Sequence, residues 1–213
     1  MISPSLHNAS GKASTILYLA SGSRFRRQML ATAGVAVVAE PTDIDEPAER
    51  AAMTATEPEI CPAAVAVRLA GLKAVQISAR HPDDLVIGAD QILALERSIF
   101  GKPADLAAAR AQLTALRGQT HTLPTAVVLA RGGKVIWKHV ATAEMTMRNF
   151  DDAFLESYLA AVGMTVTETC GGYQLEGLGV QLFDRIDGDY FTVIGLPLLP
   201  LLAELRRCGA IPS

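Results

Sequence analysis

The chain has 213 residues, of which half are apolar and 19% charged, a composition that builds a core and argues against a disordered chain. Nineteen Lys and Arg against 22 Asp and Glu give a net charge of −3, without the basic excess that a general binder of polymeric nucleic acid needs, and 5% aromatics are too few for a base-stacking platform. Cys61, Cys170 and Cys208 are far apart and lack C-x-x-C spacing, which argues against a zinc site or a disulfide framework and fits a reducing cytoplasm.

Residues 1–14, polar and rich in Ser and Asn, read as a frayed tail without a signal-peptide pattern, which leaves 15–213 as one expected domain. Thr15–Ala20 reads as a buried strand that runs through Ser21-Gly22-Ser23 into a helix at Phe25–Ala33, ended by Gly34. A second strand is expected at Val35–Ala39, then loop or short helix through the proline- and acid-rich stretch Glu40–Pro62. Ala63–Ala79 sets Val65, Leu69, Leu72 and Val75 at helical spacing. Leu85–Ala89 reads as a buried strand, Ile92–Leu95 with Ser98–Phe100 as a hairpin, Gly101-Lys102-Pro103 as a turn and Leu106–Leu116 as a helix. Thr122–Ala130 and Val135–Met147 flank Arg131-Gly132-Gly133-Lys134, a hairpin signal. Asp151 is the expected N-cap of a helix at Ala153–Val162. Val180–Ile186 and Tyr190–Ile194 are expected to pair as strands across Asp187-Gly188-Asp189, before a last helix at Leu198–Arg207. The closest approach to a membrane span, Val193–Leu205, holds two prolines and a glutamate, so none is expected. Crossover and hairpin connections together point to an α/β fold with a mixed sheet.

Five places offer chemistry. In Ser21-Gly22-Ser23-Arg24-Phe25-Arg26-Arg27, small residues at a strand-to-helix turn present backbone N–H groups, and three arginines at a positive helix end would be relieved by an anion. A solvated basic turn is the plainer reading of that stretch alone. Asp43-Ile44-Asp45-Glu46 is either an acidic surface loop, which composition favours, or a set of carboxylates for a hard cation. Gly88-Ala89-Asp90-Gln91 ends an apolar strand and puts a carboxylate at a crevice. Lys102 is held in a turn by Gly and Pro, whereas Lys73 reads as a solvent-facing helix residue. Gly171-Gly172-Tyr173-Gln174-Leu175-Glu176-Gly177 permits close backbone approach to a ligand or is a flexible loop. His121 and Trp137 read as structural.

Taken singly these signals are weak, but their order is specific. Leu19-Ala20-Ser21-Gly22-Ser23…Arg26-Arg27, Asp43-Ile44-Asp45-Glu46, Leu69-Ala70…Lys73-Ala74, Gly88-Ala89-Asp90, Gly101-Lys102-Pro103, Gly172-Tyr173…Glu176-Gly177 and Ile186-Asp187-Gly188-Asp189…Gly195-Leu196-Pro197 follow one another as in the Maf family of nucleotide pyrophosphatases, which the chain resembles over about Ile16–Gly209. The resemblance implies a two-lobed α/β fold with a long mixed sheet and a cleft between the lobes. It implies hydrolysis of nucleoside triphosphates, including noncanonical ones, to monophosphate and pyrophosphate with a divalent cation, Mg²⁺ or Mn²⁺. Homodimers occur among such proteins. By position it implies Asp90 as general base, Ser21, Arg26, Arg27, Lys73 and Lys102 as phosphate ligands, and Glu46, with Asp90, near the metal. A nucleotide-binding regulator of cell division is the non-enzymatic alternative, and retention of Asp90, Glu46, Lys73 and Lys102 together argues against it.

The chain departs from the commonest form of the motifs. Arg24 stands at the usual proline of Ser-x-Ser-Pro-Arg-Arg, and Phe25 precedes Arg26-Arg27. Gln91 and Glu176 replace the Thr and Gln of pyrimidine-preferring members. Phe25, Gln91 and Glu176 thus resemble the subgroup that prefers 7-methyl-GTP. An aromatic face suits a cationic base, and a carboxylate accepts from guanine N1–H and the exocyclic amine. A broad or pyrimidine-directed enzyme acting on dTTP or UTP is the alternative.

Overall fold

The structure is a computed structural model that describes residues 16–213. The tail expected at 1–14 lies outside the described residues. Strand β1 (Leu17–Ala20) leads into helix α1 (Arg24–Thr32), strand β2 (Val38–Ala39) and helices α2 (Glu46–Thr56) and α3 (Pro62–Arg80). Strands β3 (Leu85–Gln91), β4 (Leu93–Leu95) and β5 (Ser98–Phe100) follow, then helix α4 (Leu106–Leu116). The long hairpin of β6 (Thr120–Arg131) and β7 (Lys134–Met147) precedes helix α5 (Asp152–Val162) and three short 3₁₀ turns. Strand β8 (Phe183–Asp187) and helices α6 (Tyr190–Ile194) and α7 (Leu198–Arg207) complete the chain.

The eight strands form one mixed sheet. β1 lies parallel to β2 and β3, and every other pairing is antiparallel. β6 organises the sheet because of its length. β7 pairs along one edge from Thr120 to Arg131, while the other edge is shared between β3, at Thr125–Ala130, and β4, at Thr122. The two halves of β6 therefore belong to different packing units. The half nearer its start packs with α4 and α5 around Leu113, Leu116, Leu155, Leu159 and Met145. In the other half, alternation divides the side chains between two faces. Val86, Ala126, Val128 and Ala130 meet α3, and Leu85, Ile87, Val127 and Leu129 meet α1 and α7.

Asp90 shares the face of Val86 and Gly88, toward α3. A Cβ at Gly88 would lie 2.2 Å from the Ala70 carbonyl oxygen and 2.8 Å from Ala74 Cβ, so only glycine admits this approach of α3 to the sheet. The buried face of α3 carries Val65, Ala66, Leu69, Ala70, Lys73, Ala74 and Ile77. The expected stripe through Leu72 and Val75 is thus displaced: Leu72 is exposed, and alanines occupy the contact because the helix lies too close for larger side chains.

Other expectations also shift. Only Val38–Ala39 of the expected Val35–Ala39 strand joins the sheet, and the Glu40–Pro62 stretch holds a three-turn helix capped by Asp45, whose carboxylate accepts from the Ala48 N–H. Val180–Leu182 belongs to a 3₁₀ turn, and the strand begins at Phe183. Tyr190–Ile194 is a helix, not the partner of β8, which pairs with β7. Both ends explain this. The Asp189 carboxylate accepts from the Thr192 N–H, and Gly195 closes the C-terminus at φ +112°, which together override the β propensity of Tyr-Phe-Thr-Val-Ile.

Gly88 on β3 and Gly71 on α3 should respond to substitution in opposite ways. Gly88→Ala overpacks the α3–β3 contact and is expected to cost about 1–3 kcal/mol in urea denaturation. Gly71→Ala, whose new methyl meets only Val135 Cγ2 at 3.9 Å, should stabilise α3 by about 0.5–1 kcal/mol through reduced backbone entropy.

Candidate active site

A cleft of about 1050 Å³ opens where α1, α2 and α3, the end of β3, the turn after β5 and the 3₁₀ segment near Cys170 converge. Its lining includes Ser21, Phe25, Arg26, Glu46, Lys73, Asp90, Gln91 and Lys102, eight of the ten site residues expected from the sequence. Glu176 lines a small recess that adjoins the cleft, and Phe25, Gln91, Thr169, Cys170 and Ile194 line both spaces. The three residues expected to select a base are thus brought together although 151 positions separate the first from the last. Arg27 is not brought in. It is exposed on α1, one position beyond Arg26, and lies outside the cleft lining.

At the cleft floor the Lys73 ammonium sits 2.6 Å from Asp90 Oδ1 and 2.6 Å from Glu46 Oε1. Lys73 and Asp90 are 5% and 3% exposed, so the lysine is buried rather than solvent-facing as its helix position alone led one to expect. Gly88 and the alanine face of α3 bring it within reach of the sheet. Burial pushes the Asp90 carboxyl up, against the lowering effect of Lys73 and Arg26, and the net direction is upward. Burial pushes Glu46 in the same sense, but Lys73, Arg26 and Arg50 outweigh it and the net direction is downward. Asp90 Oδ2 is buried and has no hydrogen-bond partner among the described residues. An unpartnered carboxylate oxygen in a low-dielectric site is costly, and a cation or a water would satisfy it.

Ser23 caps α1 by accepting from the Arg26 N–H. Arg26 then reaches back from the helix, donating through Nε to the Gly195 carbonyl at 2.8 Å and through Nη1 to the Ala89 carbonyl at 2.8 Å and Ser21 Oγ at 3.2 Å. It ties α1, the end of β3 and the α6–α7 turn into one frame. Its Nη2 hydrogens have no partner among the described residues. Burial lowers its pKa from the usual value, opposed by Asp90 and Glu46. Ser21 Oγ accepts from Arg26 and from the Ser23 N–H at 3.2 Å, which leaves its own proton free to donate.

The recess has a fixed wall. Gln91 Nε2 donates to Thr125 Oγ1, the Thr192 carbonyl and the Val193 carbonyl at 2.9–3.1 Å, so its amide oxygen is the end without a partner among the described residues. Behind it, Tyr173 is bonded to His121 Nε2 at 2.7 Å. Burial pushes His121 down to about 4, which favours a neutral ring near pH 7. Two residues in the lining went unassigned at the sequence level. Arg50 comes from the middle of an acid-rich helix and carries no motif signal. Arg24, read there as one of three arginines at the helix start and as a departure from proline, places its guanidinium 4.8 Å from the Phe25 ring centre and pairs with Glu168 across the cleft mouth at 2.8 Å.

A family model described as Maf-like protein matches residues 16–208. The chain belongs to the Maf family. It is 52% identical over 195 residues to a protein of Mesorhizobium japonicum named 7-methyl-GTP pyrophosphatase, covering 92% of this chain and 97% of that one. A protein of the same name from Brucella abortus is 51% identical, with 90% and 95% covered. A protein of Paramagnetospirillum magneticum named nucleoside triphosphate pyrophosphatase is also 51% identical, with 91% and 98% covered. These matches agree with the mixed α/β fold and with the family read from the motifs. No helix among the described residues is long and apolar enough to cross a membrane.

The charge arrangement around Lys73 makes a prediction independent of turnover. In Lys73→Met, desolvation of Asp90 and Glu46 goes unopposed by the ammonium, and both carboxyls move up. Groups whose folded pKa exceeds the unfolded value stabilise below the unfolded pKa and lose that contribution as pH rises through the folded one. The variant's melting temperature, measured between pH 4.5 and 8, should therefore fall further below the parent's as pH increases.

Proposed function

We propose that the cleft hydrolyses nucleoside triphosphates to the nucleoside monophosphate and pyrophosphate, with preference for 7-methyl-GTP. The observation that carries this reading is the unpartnered Asp90 Oδ2 beside Lys73, in a cleft that has cations on one side and a base-sized set of selectors on the other. The names of the relatives support the reaction and the base preference.

Asp90 is the general base. Its Oδ2 takes a proton from a water as the water oxygen attacks the α-phosphorus; the bond from that phosphorus to the αβ-bridging oxygen breaks, and pyrophosphate leaves with the electron pair. The upward direction of the Asp90 pKa favours proton acceptance, while Lys73 opposes the effect of burial and aims the carboxylate. Arg26 Nη2 and the Ser21 hydroxyl donate to the α-phosphate, where charge builds in the transition state. Lys102 meets the more distal phosphates.

A divalent cation, Mg²⁺ or Mn²⁺, fits the donors present. Mg²⁺ commonly binds through one or two carboxylates plus substrate phosphates, and Glu46 at the cleft floor provides one, with Asp90 Oδ2 left to the attacking water. Among the described residues no group of three or more His, Cys, Asp or Glu could hold an ion alone, so the nucleotide would complete the coordination. Bound there, the ion would supply Lewis-acid polarisation of the phosphate.

Base choice rests on Phe25, Gln91 and Glu176. N7-methylation makes guanine cationic, which strengthens its attraction to an aromatic face and makes N1–H a better donor to a carboxylate. Phe offers a weaker quadrupole than Trp, so the discrimination is moderate.

Asp90→Asn should lower turnover by at least about 10²-fold and leave nucleotide binding largely intact, as measured by pyrophosphate release with and without Mg²⁺ or Mn²⁺. Near-normal turnover by a folded variant would remove Asp90 from the base role. Across 7-methyl-GTP, GTP, UTP and dTTP, kcat/KM should be highest for 7-methyl-GTP, and Glu176→Gln should reduce that preference more than it reduces UTP turnover. A parent enzyme that favours UTP or dTTP would overturn the base assignment and leave the reaction in place.

A further inference from the structure

Most charges in the cleft are already committed to one another. Lys73 is shared by Asp90 and Glu46, Arg24 pairs with Glu168, and three of the Arg26 N–H groups are spent on Gly195, Ala89 and Ser21. Arg50 and Lys102 are different. Both line the cleft, and neither forms an ion pair or a side-chain hydrogen bond among the described residues. Glu46, four residues before Arg50 on α2, would ordinarily pair with it. Its carboxylate is instead drawn to Lys73, so Arg50 feels Glu46 only at longer range and stays half-buried without a direct ion pair among the described residues.

Arg50 also has a defined position. Its Nη2 lies 3.7 Å from where a Cβ would stand on Gly101, so the guanidinium rests over the Gly101-Lys102 turn. That turn is pinned by α4, where Gln112 Nε2 donates to the Gly101 carbonyl at 3.0 Å. Two cations without direct ion pairs among the described residues therefore line the cleft from neighbouring elements, α2 and the turn after β5. Neither lines the recess shared by Phe25, Gln91 and Glu176. Arg50 and Lys102 thus line the cleft outside the base recess, and Asp90 and Lys73 are buried at its floor.

We propose that Arg50, acting with Lys102, binds the two terminal phosphates of the triphosphate and then the pyrophosphate product. The proposal rests on the reaction assigned above and adds a residue and a direction to it: the nucleotide lies with its leaving group toward α2. The guanidinium fork suits two phosphate oxygens at once, which an ammonium cannot match.

Calorimetric titration of the full chain with inorganic pyrophosphate and, separately, with a nucleoside monophosphate tests this without turnover. Arg50→Met should weaken pyrophosphate binding about tenfold, the scale of one lost charge-assisted hydrogen bond at a half-buried site, and change monophosphate binding by less than about twofold. Arg50→Lys should recover part of the loss, which a merely structural role would not produce. Unchanged pyrophosphate binding in Arg50→Met, or equal weakening of both ligands, would overturn the assignment while parent pyrophosphate release still supports the reaction. A parent that neither binds pyrophosphate nor releases it from triphosphates would overturn both.

Discussion

Placing one buried ammonium between two carboxylates is the constraint on which the site depends. Lys73 meets Asp90 from the sheet and Glu46 from the start of α2, each at 2.6 Å. Buried ion pairs of this kind add little net stability, since desolvation offsets attraction, but removing one member leaves charge uncompensated and costs several kcal/mol. Three elements are thereby locked together, and the ammonium opposes the upward push of burial on both carboxyls. The lock reaches back into the packing. Without Gly88 and the alanines of α3, the helix would stand off the sheet and Lys73 would not meet Asp90.

Two carboxylates around one ammonium leave a local negative charge, and the surrounding arginines and Lys102 more than balance it. Such a site suits a polyanion accompanied by a divalent cation better than either alone. The proposed placement of Arg50 and Lys102 at the terminal phosphates would give the substrate an orientation. The segment after α5 meets the N-terminus of α1 at a junction that brings Phe25 to Gln91 and Glu176, the residues to which the proposed base choice is assigned. Arg24 acts at the same junction: the proline usual in the motif would be inert, whereas the arginine covers part of Phe25 and reaches Glu168 on the opposite rim. In the proposed reading a cationic base would meet Phe25 with a guanidinium already beside it, paired with Glu168.

Much of the fold was legible because strong local signals agreed with burial. The hairpin at Gly132-Gly133, the Asp151 cap and the Leu106–Leu116 helix all stand where the residues placed them. Tyr190–Ile194 misled because its composition is strand-like, while the deciding information lay in two capping residues outside it. Lys73 misled for a different reason. Charge and helical position both point to solvent, and only the missing Cβ of Gly88, 15 residues away, explains its burial. Asp90, Lys102 and the base selectors were legible through motif order. Arg50 was not, because its significance depends on Glu46 turning away from it, which is a tertiary fact.

The central claim is that Asp90 directs water to the α-phosphorus, and the fate of the water oxygen tests it most directly. A single turnover in ¹⁸O-labelled water, with products resolved by mass spectrometry, should place one labelled oxygen in the nucleoside monophosphate and none in pyrophosphate. Label in the pyrophosphate would mean attack at the β-phosphorus, and would contradict the placement of the substrate over Asp90.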